Sequence, residues 1–283
     1  MSFVDKISKK YPDFNSPDSV ILLEIVHRGD CKVLSVELNQ PSIRNPLDLQ
    51  TADLFSKLCD FCLDWESELP FEALILQGRG KAFSAGGDFD FLKQRTKVAE
   101  RENIATMMNY YHSFLKIRSI PVVTIAHVHA AAVGAGLCLA LACDLMLVHR
   151  DAKLGFPFLK LGINPGMAAY PLLRRRLGET RSRDLLFSGR FFSGTDLFKW
   201  GGAWTDYENK VEADNIINDW LSSYSGSSAF AVSQLRQEIL LYETRDVDRS
   251  LSSEAQGQAN CYAGKDFQER LENTLQRISK KSK

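Results

Sequence analysis

The chain has 283 residues, 45% of them hydrophobic, with 35 basic side chains balanced by 35 acidic ones. That length can bury a sizeable core, and the absence of net charge excludes a chain-wide field for nucleic acid, a membrane surface or a strongly acidic partner. A neutral ligand, or an anion held by a local patch, stays open.

Residues 1–20 form a polar leader, too charged for a secretory signal. "VILLEIVHR" and "CKVLSVELN" follow as two strands rich in branched residues, with "RGD" as the turn. "LDLQTADLFSKLCDFCLDWES" has helical apolar spacing, with Asp48 or Thr51 available near its start. "FEALILQGRG" predicts a buried strand, 98–117 a helix, "IPVVTIAHV" a strand, the stretch from 135 a helix and "DLMLVHR" a strand. Strands alternating with helices predict an α/β fold with parallel sheet. From 205 the pattern is helical, so 1–204 is expected to be the core and 205–283 a helical section that buries a face on the core or on another subunit.

The cysteines at 31, 59, 62, 138, 143 and 261 are scattered, which predicts reduced thiols in a cytosol-like compartment. Cys59 and Cys62 form a lone C-x-x-C on a predicted helix, without a second pair at metal spacing, so packing is the expected role. The longest apolar run, near 130–148, is broken by glycines and reads as core helix and strand, not a membrane span.

Two glycine-rich stretches carry the chemistry: "GKAFSAGGDFDF" at 80–91 and "AVGAGLCLALACD" at 132–144. Neither has the order of a phosphate loop or a dinucleotide fingerprint. Each follows a predicted strand and enters a helix, so each offers backbone N–H groups at a helix start. Two such donors converging would make an oxyanion hole for a carbonyl oxygen such as that of a thioester. The alternative is that Gly86, Gly87, Gly134 and Gly136 only permit tight turns and close packing.

These stretches, with "LNQPSIRNPL", "KLGFPFLKLGINPG" and "RRRLGETRSRDLLFSGRFFSGTDLFKWGGAW", resemble, in order and separation, the motifs of the crotonase (enoyl-CoA hydratase/isomerase) superfamily over about residues 20–270. The resemblance implies a spiral of ββα units with a C-terminal helical section, assembled as a homotrimer or hexamer. It implies an acyl-CoA or acyl-carrier-protein thioester as ligand, with no cofactor beyond coenzyme A as part of the substrate. By position, the thioester oxygen falls to the N–H groups of Gly87 and Ala135. The acyl-CoA cleft falls to Ile43–Pro46, including Asn45, and to Ala85, Gly86, Gly87, Asp88, Phe89 and Asp90, with Gly134 and Phe158. Arg277 or Lys280 is a loose match for phosphate contact across a subunit boundary.

The same resemblance exposes three vacancies. The family's hydratase glutamates fall at Cys138 and Phe158, and the acidic position used by its isomerases and dehalogenases falls at Gly166. The thioester-binding device is therefore expected to be present and ordinary hydration absent. Asp88, Cys138 and Asn164 are the substitutes considered for the missing acid/base. Asp88 has a loop-pinning alternative and Cys138 an inert, packed one. Lys93, His112 and Tyr170 have surface or packing alternatives; His127 and His129 share one strand face as a structural pair, and Asp144 is structural. The resulting expectation is an acyl-thioester enzyme stabilising an enolate by other means than the standard hydratase. A decarboxylase or hydrolase of the polyketide type, and a catalytically silent acyl-CoA binder, are the alternatives.

Overall fold

The computed structural model describes residues 1–66 and 68–281. Its larger sheet has six strands, in the spatial order Ile21–Arg28, Cys31–Leu38, Ala73–Gly78, Val123–Val128, Leu145–His149 and Thr205–Tyr207. The first two form an antiparallel hairpin, turning through Gly29 at φ +54°; all later pairings are parallel. A smaller sheet orders Phe191–Phe192, Leu154–Gly155, Ala131–Val133 and Ala82–Ser84.

The two sheets share one repeat. Each long strand from Ala73–Gly78 onward runs through a short loop into a short strand of the second sheet: 73–78 into 82–84, 123–128 into 131–133, 145–149 into 154–155. Helices make the return crossings that parallel pairing requires. This is the expected ββα spiral.

The local chemistry explains the elements. Asp48 caps the helix Leu49–Leu63, accepting from the Thr51 N–H at 2.7 Å. Every residue of the helix Ala135–Ala142 is buried, which is why it is apolar all round instead of amphipathic. Cys59 and Cys62 lie in the main core, where burial raises both thiol pKa values, Cys62 to about 12.

Two details depart from the sequence-based expectation, one in the leader and one at the start of the C-terminal section. The polar leader contains the helix Phe3–Lys10, closed by a Ser2/Asp5 capping box, and Phe3 is buried with its ring 5.1 Å from those of Phe61 and Phe71. Thr205–Tyr207, at the start of the section expected to be helical, pairs with 147–149 and completes the large sheet. The stretches "AFAVSQLRQEILLYET" and "DVDRSLSSEAQGQANCYAG" form a single helix, Ala229–Ala263. Its Val247, Leu251, Ala255 and Tyr262 join the same apolar cluster as the strands, as do Phe267 and Leu271 of the last helix, Lys265–Lys281.

Candidate active site

The two glycine stretches meet. Ser84 donates its hydroxyl to the Asn45 carbonyl at 2.7 Å and accepts from the Gly86 N–H at 3.1 Å, which bends the strand end back on itself. Gly86 sits at φ +92°, and a Cβ there would lie 2.5 Å from the Val133 carbonyl oxygen and 3.5 Å from the Ala135 nitrogen. Only glycine lets these backbones approach so closely. A Cβ on Gly136 would likewise fall 2.6 Å from the Ser84 hydroxyl oxygen, so the helix start is seated directly on the first loop.

Gly134, at φ +54° and ψ −122°, is the N-cap of the helix Ala135–Ala142. The first intrahelical bond in this turn runs from the Cys138 N–H to the Gly134 carbonyl at 3.0 Å. The Ala135 N–H, one position into the helix, has no acceptor within it.

Gly87 and Ala135 both border one cavity of about 360 Å³. Ala85, Gly86, Phe89, Val133, Gly134 and Phe158 line the same side. A Cβ on Gly87 would meet nothing within 4 Å, so that position faces open space. The helix Glu100–Leu115 adds Met107, Tyr110 and Tyr111 to the lining, and Ala229–Ala263 adds Gln258 and Tyr262. Lys160 and Arg277 are the cations of the lining. Among the described lining residues there is no aspartate or glutamate.

The three positions singled out as vacant are occupied in different ways. Cys138 is fully buried beneath the lining, with Sγ 3.8 Å from the Gly166 carbonyl oxygen. Burial, reinforced by the nearby Glu254 carboxylate, holds its thiol pKa well above the ordinary value, so the group is a neutral thiol. Phe158 lines the cavity, its ring 3.6 Å from where a Gly134 Cβ would be. Gly166 has no room for a side chain: a Cβ would lie 2.3 Å from the Tyr111 Oη and 2.6 Å from the Gln258 Nε2.

The remaining candidates divide sharply. Asp88 is not in the lining; it caps the helix Phe89–Arg95, accepting from the Phe91 N–H at 2.7 Å. Asp90, Lys93 and His112 are exposed. Ile43, 57% exposed, is outside the lining of this cavity. Asn45 is outside it too: it is buried, donates to the carbonyls of Arg79 and Ala82 at 2.9 Å and accepts from the Gln40 N–H at 2.8 Å. It shapes the loop that carries Pro46, which pairs with Gly86. Asn164 also lies outside the lining, its side chain turned onto the Pro165 carbonyl and its own carbonyl accepting from Gln258 at 2.8 Å.

Tyr170 is half-buried and outside the cavity. His127 shares a 2.8 Å hydrogen bond with the Tyr207 hydroxyl, and burial depresses its pKa to about 4. His129 reaches the Gly80 carbonyl at 2.9 Å. Asp144 accepts from the N–H and hydroxyl of Thr124 and pairs with Arg236. Arg277 borders the cavity of its own chain, whereas Lys280 is not in the lining.

Sequence reasoning passed over Tyr111, Gln258, Tyr262 and Glu254. The signal for one of them was present: Tyr111 belongs with Met107, Tyr110 and Phe114 to a set at helical spacing, beside the exposed His112. Tyr262 donates to the Gln258 Oε1 at 2.7 Å, one turn away. Glu254, only 7% exposed, accepts from the Ala168 N–H at 2.8 Å and from the Ser250 hydroxyl at 2.6 Å, and burial raises its pKa from 4.5 to about 7. It steadies the turn at Met167 and Ala168, whose φ angles are +62° and +55°.

Paired glycine loops at the junction of two sheets, opening on an apolar cavity closed by C-terminal helices, define a crotonase fold. The chain belongs to the enoyl-CoA hydratase/isomerase family, whose model matches residues 29–278. A Thermus thermophilus protein carrying the enoyl-CoA hydratase name is 37% identical over 165 residues, 58% of this chain and 63% of its own length. The short-chain-enoyl-CoA hydratase of Clostridium acetobutylicum is 26% identical over 251 residues, 87% of this chain and 92% of its own. The crystal structure of the Bacillus halodurans enoyl-CoA hydratase superposes with a TM-score of 0.78 at 25% identity, covering 90% of this chain and all of that one. A variant of the ECH2 decarboxylase domain of CurF from Lyngbya majuscula shares the fold, with a TM-score of 0.74 at 17% identity over 91% of this chain and 100% of its own. No described helix is long and apolar enough to cross a membrane.

Proposed function

We propose that this chain binds an acyl-CoA or carrier-bound acyl thioester with its carbonyl oxygen between the N–H groups of Gly87 and Ala135, and acts by stabilising the thioester enolate. The observation that carries this reading is that both positions border one apolar cavity, from two loops that touch at Gly86. Donors fixed in a low-dielectric site before the reaction begins stabilise developing negative charge without reorganising. Family membership supports the ligand class.

The reaction in this proposal is not ordinary hydration. Adding water to an enoyl thioester requires groups that take and return a proton, and the described lining holds tyrosines, a glutamine and two cations but no carboxylate. Isomerisation and decarboxylation, which pass through the enolate, are the reactions to screen, together with hydrolysis, whose tetrahedral oxyanion the same two N–H groups would hold. The acid-free lining equally favours a second reading, a silent acyl-CoA binder. The test is binding and turnover in parallel with crotonyl-CoA, a 3-enoyl-CoA and malonyl- and glutaconyl-type thioesters. Turnover of a 3-enoyl-, malonyl- or glutaconyl-type thioester sustains the reading, hydration of crotonyl-CoA refutes its exclusion of hydration, binding without turnover replaces it with the binder, and absence of binding refutes the site.

A homotrimer or hexamer built through 205–283 belongs to the same proposal, supported by the exposed Phe230, Leu241 and Tyr242 on the long helix. A cytoplasmic location does too, supported by six unpaired thiols.

A further inference from the structure

Tyr111 has an unusual hydroxyl. The residue is only 1% exposed, it borders the cavity, and its Oη has no hydrogen-bond partner among the described residues. A buried hydroxyl left without a partner is costly, so each such group calls for an explanation. Its neighbours Tyr110 and Tyr262 are satisfied, donating to the Leu47 carbonyl at 2.9 Å and to the Gln258 Oε1 at 2.7 Å.

Gln258 completes the pattern. Its Oε1 is engaged by Tyr262, and its Nε2 spends one N–H on the Asn164 carbonyl. An amide nitrogen carries two N–H groups, so one remains. Tyr111 Oη and Gln258 Nε2 both crowd the same point, 2.3 and 2.6 Å from where a Gly166 Cβ would be, and all three residues border the cavity. A side chain at position 166 would displace both donors, and glycine leaves them in place beside the cavity.

The surroundings select the acceptor. Phe91, Leu92, Met107, Ile163 and Met167 make this part of the lining apolar, and Tyr111 lies within electrostatic reach of Glu254. A carboxylate would lose its hydration there beside another acid, whereas a neutral oxygen loses little. Burial holds the Tyr111 hydroxyl protonated across the physiological range, so it acts as a donor.

We propose that Tyr111 and Gln258 form an oxygen-recognition subsite beside Gly166, which selects acyl thioesters bearing a neutral keto or hydroxyl oxygen along the chain over plain alkyl ones. This specificity role rests on the thioester reading above, since it assigns what the rest of the acyl chain must carry.

The test is a panel of CoA thioesters matched in length: butyryl- and hexanoyl-CoA, their 3-oxo and 3-hydroxy forms, and hexanoyl-CoA hydroxylated at carbon 4 or 5. Affinity is measured by calorimetry for the native protein, Tyr111→Phe and Gln258→Leu. At least one oxygenated ligand should bind roughly tenfold or more tightly than its alkyl parent, the worth of one or two buried hydrogen bonds. Tyr111→Phe should erase most of that preference while leaving alkyl-CoA affinity unchanged, and its unfolding midpoint should not fall, because the hydroxyl it removes has no partner to lose. Equal affinity for oxygenated and alkyl ligands, or a preference that survives both substitutions, overturns the subsite and leaves the thioester reading standing. Failure of every thioester to bind overturns both.

Discussion

Ala135 is the first residue of a buried helix, and there a proline can remove an N–H without removing an intrahelical hydrogen bond. The preceding Gly134, at φ +54° and ψ −122°, has the mirror image of the extended geometry that residues before proline prefer, which glycine alone adopts freely. Ala135→Pro should therefore fold, with a stability loss of at most about 1–2 kcal/mol from the ring's fit against the cavity wall. Its catalytic effect should be much larger. Loss of one preorganised donor to a developing oxyanion costs about 10²–10³ in kcat, or roughly 2.7–4 kcal/mol of barrier. Ala135→Gly keeps the N–H and serves as the control, expected within severalfold of native activity. The assay is steady-state turnover of whichever thioester the screen identifies, with urea unfolding to establish that each variant is folded. A folded Ala135→Pro protein with native kcat would refute the assignment of this N–H to the thioester oxygen.

Neighbouring glycines should behave oppositely. Gly86→Ala forces a side chain into φ +92° and against the Val133 carbonyl and should cost about 2–4 kcal/mol in urea unfolding, whereas Gly87→Ala, with nothing within 4 Å, should leave stability within about 0.5 kcal/mol. For Asp88, the aspartate-to-asparagine change separates capping from proton transfer, because asparagine caps as well. Asp88→Asn should keep native stability and activity, and a thousandfold loss of kcat with the fold intact would show that the carboxylate moves a proton. Glu254 has a folded pKa of about 7 against 4.5 unfolded, so the native state binds the extra proton and this contribution to stability is lost as pH rises from 4.5 through 7. Glu254→Gln should remove that loss, making the variant more stable than native by up to about 3 kcal/mol at pH 8 but not at pH 4.5; parallel stability–pH curves for the two proteins would contradict it.

Much was legible in the chain alone because it depends on local pattern. The hairpin 21–38, the alternation of strands and helices through 149 and the cap at Asp48 all follow from periodicity and turn chemistry that operate over a few residues. The two glycine stretches were legible for the same reason, while Gly87, Gly134 and Phe158, which border the cavity, were placed by the family resemblance and not by local pattern. The backbone partners of Asn45 lie outside its loop, at Arg79 and Ala82, and no local pattern shows them.

The helical part of the cavity lining came from packing between remote segments. Tyr111 and Gln258 are 147 positions apart in the chain, and no local pattern relates them; packing of the helices Glu100–Leu115 and Ala229–Ala263 across the same cavity brings both to Gly166. The bare glycine turns at helix starts could be read from the chain because they are local features. Which side chains line the cavity, and whether each buried polar group finds a partner, depends on long-range burial, where satisfaction is set by neighbours remote in the chain.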